Sequence, residues 1–285
     1  MDRLPASPKF VATRTIPFGQ PPRMESMSGY ALPHGLAGEE QRLALMSTLL
    51  DPFEFACIER LGVGQGCRCL EFGCGNGSIS LALAERVAPA GVVIASDIDL
   101  SYVSRLERPC LQARRIDILH DQIEESSYDF VVARALLHHV PSARHSLQRM
   151  LTALKPGGAL LSIEPDMLPC TVAEPASMRT FWQGWLNWSV DAGIDYFIGR
   201  KIPAWLDSLG VEDIASEGHT ANFNGGSDWA NYWTATIQEL QPSLLKGGYI
   251  TTALLKEFET CYWDPHYWAS LITFNATWGR KGAYS

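Results

Sequence analysis

The sequence predicts an α/β protein built on a doubly wound, mostly parallel sheet. Short apolar runs alternate with helical stretches over about a hundred residues. A glycine-rich turn joins the first of those runs to the first of those helices, and acidic residues stand where the second and third runs stop. Strand, helix, strand, helix in that order leaves parallel strands with crossovers on both faces as the economical arrangement.

Composition allows such a fold and excludes others. The chain has 285 residues, 46% apolar and 19% charged, enough for one large domain or a domain with a cap. It carries 23 basic and 31 acidic residues, a net charge of −8, without a Lys/Arg cluster, a poor match to nucleic-acid backbone. No apolar run reaches bilayer length, and the first ten residues, MDRLPASPKF, lack the apolar core of a signal peptide. Seven cysteines, an odd and irregularly spaced set, read as reduced thiols. The expectation is a soluble, cytoplasmic enzyme or binding protein without a membrane or nucleic-acid partner.

Residues 1–28 hold five prolines and read as an arm. Over 38–61 the apolar residues Leu43, Leu49, Leu50 and Phe53 recur at roughly helical spacing. Strands follow at 68–72, 91–97, 113–118, 128–133 and 159–164, with helices at 77–87, near 100–107, and at 142–154, the last stopped by Pro156-Gly157-Gly158. The last third differs. All nine tryptophans lie beyond residue 180, and two stretches dense in them, 180–197 and 227–268, flank a helix-like 203–209 and a strand-like 211–217. Residues 267–278 read as a final long strand.

Glu71-Phe72-Gly73-Cys74-Gly75-Asn76-Gly77-Ser78 forms the turn between the first strand and first helix. Glycines there let the backbone turn tightly and a ligand approach it. A dinucleotide fingerprint would be G-x-G-x-x-G. Here the third glycine comes one residue early, and Glu71 beside the turn would repel a pyrophosphate. A carboxylate suits a ligand carrying an amine or another positive charge. Asp97, at the end of the second strand, is placed to accept from both ribose hydroxyls. Asp117 either reaches an adenine amine or forms a turn. The implied ligand is an adenosine with a zwitterionic or cationic tail.

These segments resemble the class I S-adenosylmethionine-dependent methyltransferases. The turn has the E/D-x-G-x-G-x-G form of their motif I. Asp97-Ile98-Asp99 resembles the ribose motif, YDFVVARALLHHVP (128–141) the fourth-strand motif of the small-molecule branch, and Leu154-Lys155-Pro156-Gly157-Gly158 the turn before strand five. The match covers roughly 62–166, with all four motifs in order. Tyr30-Ala31-Leu32-Pro33, EEQRL (39–43) and GIDYFIGRKIP (193–203) look like the bacterial natural-product members.

The resemblance implies a Rossmann-like seven-stranded sheet in the order 3-2-1-4-5-7-6, the last strand antiparallel, with S-adenosylmethionine as cofactor. It implies an N-terminal helical arm (1–60), a donor-binding core (61–168) and aromatic lid insertions with the last two strands (169–285). Glu71 would meet the methionine amine, and Gly73 and Gly75 the methionyl chain. Asp97 would hold the ribose, Ile98 the adenine and Asp117 its amine, with Cys74, Gly77 and Ile118 also among the cofactor-binding residues. The main chain at Ala133 and Arg134 would accept from the amine, and Tyr30 and Arg42 would cover the carboxylate. Asp99 reads as a helix cap.

For the acceptor, His138, His139 and Glu164 are candidate bases, against plain structural roles for each. Trp182, Trp185, Tyr196, Trp229 and Trp233 are candidate walls of a flat, apolar acceptor pocket, against core packing or a contact between two copies in a homodimer. The C-x-C at Cys67 and Cys69 lacks a second pair, so no metal is expected. The alternatives are a protein that binds S-adenosylmethionine for non-methyl chemistry or sensing, and an NAD-type oxidoreductase.

Overall fold

The computed structural model describes residues 38–283. Tyr30 and the rest of the expected arm before Gly38 lie outside them. The chain runs α1 (Glu39–Arg60), β1 (Arg68–Phe72), α2 (Ser78–Val87), β2 (Val92–Asp97), β3 (Leu111–Arg115), β4 (Tyr128–Arg134), α3 (Ala143–Ala153), β5 (Leu154–Asp166), α4 (Ala176–Asp191), α5 (Ile202–Ser208), β6 (Val211–Asn224), α6 (Asp228–Lys246), α7 (Thr252–Trp263) and β7 (Trp268–Lys281).

The strands form one seven-stranded sheet, β3-β2-β1-β4-β5-β7-β6, with β7 antiparallel to both neighbours, the Rossmann-like order that the resemblance implies. β1 to β5 are parallel, so Phe72, Asp97, Arg134 and Asp166 end along one rim. Alternate residues feed opposite faces. Cys69, Val93, Phe130, Val132 and Leu161 pack beneath α1, α2 and the aromatic helices. Leu70, Ile94, Val131 and Leu160 pack beneath α3 and α5.

Several expected bounds shift. Residues 100–107 form only a single 3-10 turn, Val103–Arg105. Asp99 does not cap a helix there: its carboxylate takes the Ser101 amide and hydroxyl into a tight local turn, and Pro109 closes the segment. β3 begins and ends earlier than expected, so Asp117 lies beyond it. β5 and β6 run on to Asp166 and Asn224 because β7 pairs with both as far as those residues. The segment 227–268 is two helices, α6 and α7. No helix among the described residues is long and apolar enough to cross a membrane.

Candidate active site

The parallel rim opens into one cleft of about 1700 Å³, open solvent at its mouth included. At one end lies the glycine turn. Gly73 and Gly75 have φ of +69° and +52°, and a Cβ on Gly73 would stand 3.1 Å from Leu136 Cδ1. Only glycine takes this path easily. The Gly75 amide donates to Asp97 Oδ2 (2.9 Å), which binds the turn to the end of β2. Glu71, Cys74, Asp97, Ile98, Asp117 and Ile118 line this end, and Ile98 is exposed there. Asp117 also accepts from the Leu119 amide (2.8 Å), so it forms a turn and faces the cleft at once. Arg42 lines the wall that α1 contributes, 3.9 Å from Glu239 on α6.

Two candidates of this set fall elsewhere. Gly77 is the left-handed N-cap of α2, packed against Val103 and Leu106 rather than lining the cleft. Ala133 is enclosed within β4, and the cleft begins one residue later, at Arg134. Ala135 there has φ +50°, an uncommon conformation that swings the chain off the sheet toward the histidines.

The structure adds residues that the sequence reading missed. Asn76 Nδ2 donates to Ser47 Oγ (3.0 Å), and Ser78 Oγ to Asp51 Oδ1 (3.1 Å). Arg134 Nη1 lies 2.7 Å from Asp51 and 2.8 Å from Glu54. α1 is thus tied to the glycine turn and to the end of β4 through one polar layer. The signal was present: Asp51 and Glu54 interrupt an apolar stretch three residues apart, on one helix face. Burial pushes Glu54 up to about 7, against the pull of Arg134. Burial likewise pushes Glu71 up to about 8, with the Glu54 charge adding and the Ser80 hydroxyl, which donates to it, opposing.

At the other end, β4 hands over to a 3-10 turn, Leu137–His139. Glu164, fully enclosed on β5, accepts the amides of Leu136 (3.1 Å), Leu137 (2.7 Å) and His138 (3.2 Å), and lies 3.0 Å from His138 Nδ1. Glu164 does not line the cleft; His138 and His139 do. The two imidazoles lie tilted at 39° with centroids 3.8 Å apart, and the Tyr196 ring stands 5.3 Å from that of His138. Burial pushes Glu164 up to about 8, against its three amide donors, and pushes His138 down to about 3. Both directions describe a pair without net charge at neutral pH. Beyond the histidines the wall is apolar and aromatic: Tyr232 and Trp233 from α6, Ile272 and Phe274 from β7.

The tryptophans divide. Trp233 and Tyr196 line the cleft, whereas Trp182, Trp185 and Trp229 do not. Trp182 and Trp185 are fully enclosed, edge-on to Trp233 at 5.0 and 5.8 Å, and Phe181 beside them stacks on Phe258 of α7 at 4.6 Å. Trp229 stacks on Phe274 at 6.1 Å, behind the wall. The regular spacing on α4 marks a core face, because α4 docks on α6 and α7 rather than over the cleft.

A family model for a methyltransferase domain matches residues 39–216. Demethylmenaquinone methyltransferase of Oceanobacillus iheyensis is 31% identical over 114 residues, 38% of this chain and 48% of the relative. The Bacillus cereus enzyme of that name is 29% identical over 111 residues, 36% of this chain and 47% of the relative. The matches thus span about half the length of these curated relatives. A crystal structure of Haemonchus contortus phosphoethanolamine N-methyltransferase 2 with S-adenosyl-L-methionine superposes with a TM-score of 0.52 at 16% identity, over 85% of this chain and 52% of that one. The [4+2]-cyclase SpnF superposes with a TM-score of 0.52 at 17% identity, over 81% and 80%. At these identities the likeness is one of fold.

Proposed function

The chain belongs to the methyltransferase-domain family, and from that premise we propose that it moves a methyl group from S-adenosylmethionine to a small, flat, largely apolar acceptor. The observation that carries this reading is the single cleft: an acidic glycine turn at one end, an aromatic wall at the other, and His138 and His139 between. In-line displacement needs little covalent help from the protein. It needs the sulfonium methyl and the nucleophile held at attack distance in a site short of water.

In this reading Glu71 faces the methionine amine, Gly73 and Gly75 the methionyl chain, Asp97 the ribose, Ile98 and Ile118 the adenine, and Asp117 its exocyclic amine. Arg42 covers the carboxylate. Tyr196, Tyr232, Trp233 and Phe274 hold the acceptor. The methyl–sulfur bond breaks with its electron pair left on sulfur, a bond forms to the acceptor, and the acceptor's proton passes to His138. Glu164 positions that imidazole. The arm, donor core and aromatic third divide these tasks as 1–60, 61–168 and 169–285.

Titration with S-adenosylmethionine and with NAD tests the donor. Binding of the first alone is expected, and Asp97→Ala weakens it more than tenfold, about 1.4 kcal/mol, while the protein stays folded. Incubation with isotopically labelled donor and fractionated cell extract tests the transfer. One labelled methyl on one small molecule is expected; donor bound but never consumed overturns the enzymatic reading.

A further inference from the structure

Beneath the glycine turn the protein gathers more carboxyl groups than it has cations to pair with them. Asp51 and Glu54 come from α1, Glu71 from β1, and Arg134 from β4 is the positive charge among them. Asp97 on β2 adds a further carboxylate nearby, α2 contributes the Ser78 hydroxyl to Asp51 and the Ser80 hydroxyl to Glu71, and the Cys74 thiol is kept protonated by burial and by Glu71 and Asp97. Glu54 is fully enclosed and does not line the cleft; it reaches the cleft through Arg134, which does.

We propose that the Glu54–Glu71 pair, coupled through Arg134, makes the site specific for the charge of its donor: entry of the sulfonium expels a proton from the pair to solvent, and the neutral thioether product lets a proton return. This rests on the donor assignment above. The physical reason is the low polarisability of a closed cleft. A unit charge entering it is felt well beyond contact distance, and an added cation favours the ionised form of every carboxyl it faces. Glu54 and Glu71, raised to about 7 and about 8, hold a proton at neutral pH until such a cation arrives. The ammonium and carboxylate are common to S-adenosylmethionine and S-adenosylhomocysteine, so the comparison of the two isolates the sulfonium.

The bookkeeping of the cycle closes. Donor entry releases one proton. Methyl transfer removes the positive charge from sulfur and frees the acceptor's proton. The pair takes one proton back, and one proton per turnover reaches solvent. Glu54 acts here as a specificity-determining residue that touches no reacting atom. Its effect favours departure of product over donor, a useful asymmetry where the two differ by a single methyl group.

The test is calorimetry of the full chain with S-adenosylmethionine and with S-adenosylhomocysteine, in buffers of different ionisation enthalpy, from about pH 6 to about pH 8. Donor binding is expected to release about one proton near neutral pH, and product binding clearly fewer. The preference for donor over product is expected to rise about tenfold across that range and then level off. Glu54→Gln is expected to lower the proton count and flatten that rise, with product affinity nearly unchanged. A purely structural role for Glu54 would weaken both ligands alike and leave the proton count as it was. Should the variant fail to fold, the wild-type comparison decides alone: equal proton counts for the two ligands overturn the inference. No heat with either ligand is a different result, and it overturns the donor reading together with the inference.

Discussion

At His138 the protein spends a buried carboxylate on orienting a single ring. Glu164 accepts three successive amides of the turn and meets Nδ1 at 3.0 Å, which fixes the orientation of an imidazole whose residue lines the cleft. With Glu164 raised to about 8, the pair becomes a proton acceptor as pH climbs through that value. The acceptor kcat/KM is therefore expected to rise with pH and level off above about 8. Glu164→Gln should remove that rise and lower kcat by about 10²-fold, with donor affinity nearly intact. A pH–rate profile unchanged in the variant would remove proton transfer from this pair. The sequence pointed to His138, His139 and Glu164 together, but not to their division of labour. That division depends on the β4–β5 register, Arg134 opposite Ile163, which sets Glu164 beneath the turn. A pairing between strands nearly thirty residues apart leaves no trace in local spacing.

The aromatic helices raise the corresponding question at the scale of elements. α4 and α6 are both rich in tryptophan, and local pattern alone ranks them equally as walls for an acceptor. Tertiary packing separates them. α6 lies against α1 and presents Tyr232, Trp233 and Thr236 to the cleft, while α4 is sealed against α7. Gly184 permits that seal: a Cβ there would run into the Tyr249 carbonyl and Ile250. Gly184→Ala is expected to destabilise the protein by about 1–3 kcal/mol through overpacking, read as a lower Tm with donor affinity unchanged. Trp233→Ala is expected to raise acceptor KM several-fold, whereas Trp185→Ala acts on Tm; the opposite assignment would place the acceptor against α4. What was legible at this scale follows the same division. The parallel strands β1, β2, β4 and β5 announce themselves through apolar runs and glycine breaks, as does the glycine turn, whereas β3, Leu111–Arg115, is mostly polar and its bounds shift. The second half of β6 does not, because most of residues 216–222 face solvent on an edge strand and carry no apolar alternation.

Taken as a whole, the molecule places three carboxyls of its candidate site where folding works against their ionised form. Glu54, Glu71 and Glu164 all have raised values, so between the ordinary carboxylate range and about 8 the folded chain holds protons that the unfolded chain has already lost. Stability from these groups therefore falls as pH rises through that interval, and the deficit is complete above about 8. His138, lowered to about 3, works in the other direction, but only below the ordinary histidine range. Above about pH 6.5 the three carboxyls are unopposed by it, and Tm is expected to decline toward about pH 8.5. A bound cation that favours ionised carboxylates offsets part of that decline, so the Tm increment from saturating S-adenosylmethionine should grow with pH, while that from S-adenosylhomocysteine should stay nearly flat. Thermal melts at matched ionic strength across this range, with and without each ligand, read both effects in one series. Parallel curves for the two ligands would mean that the carboxylate layer serves only to fasten α1 to the sheet.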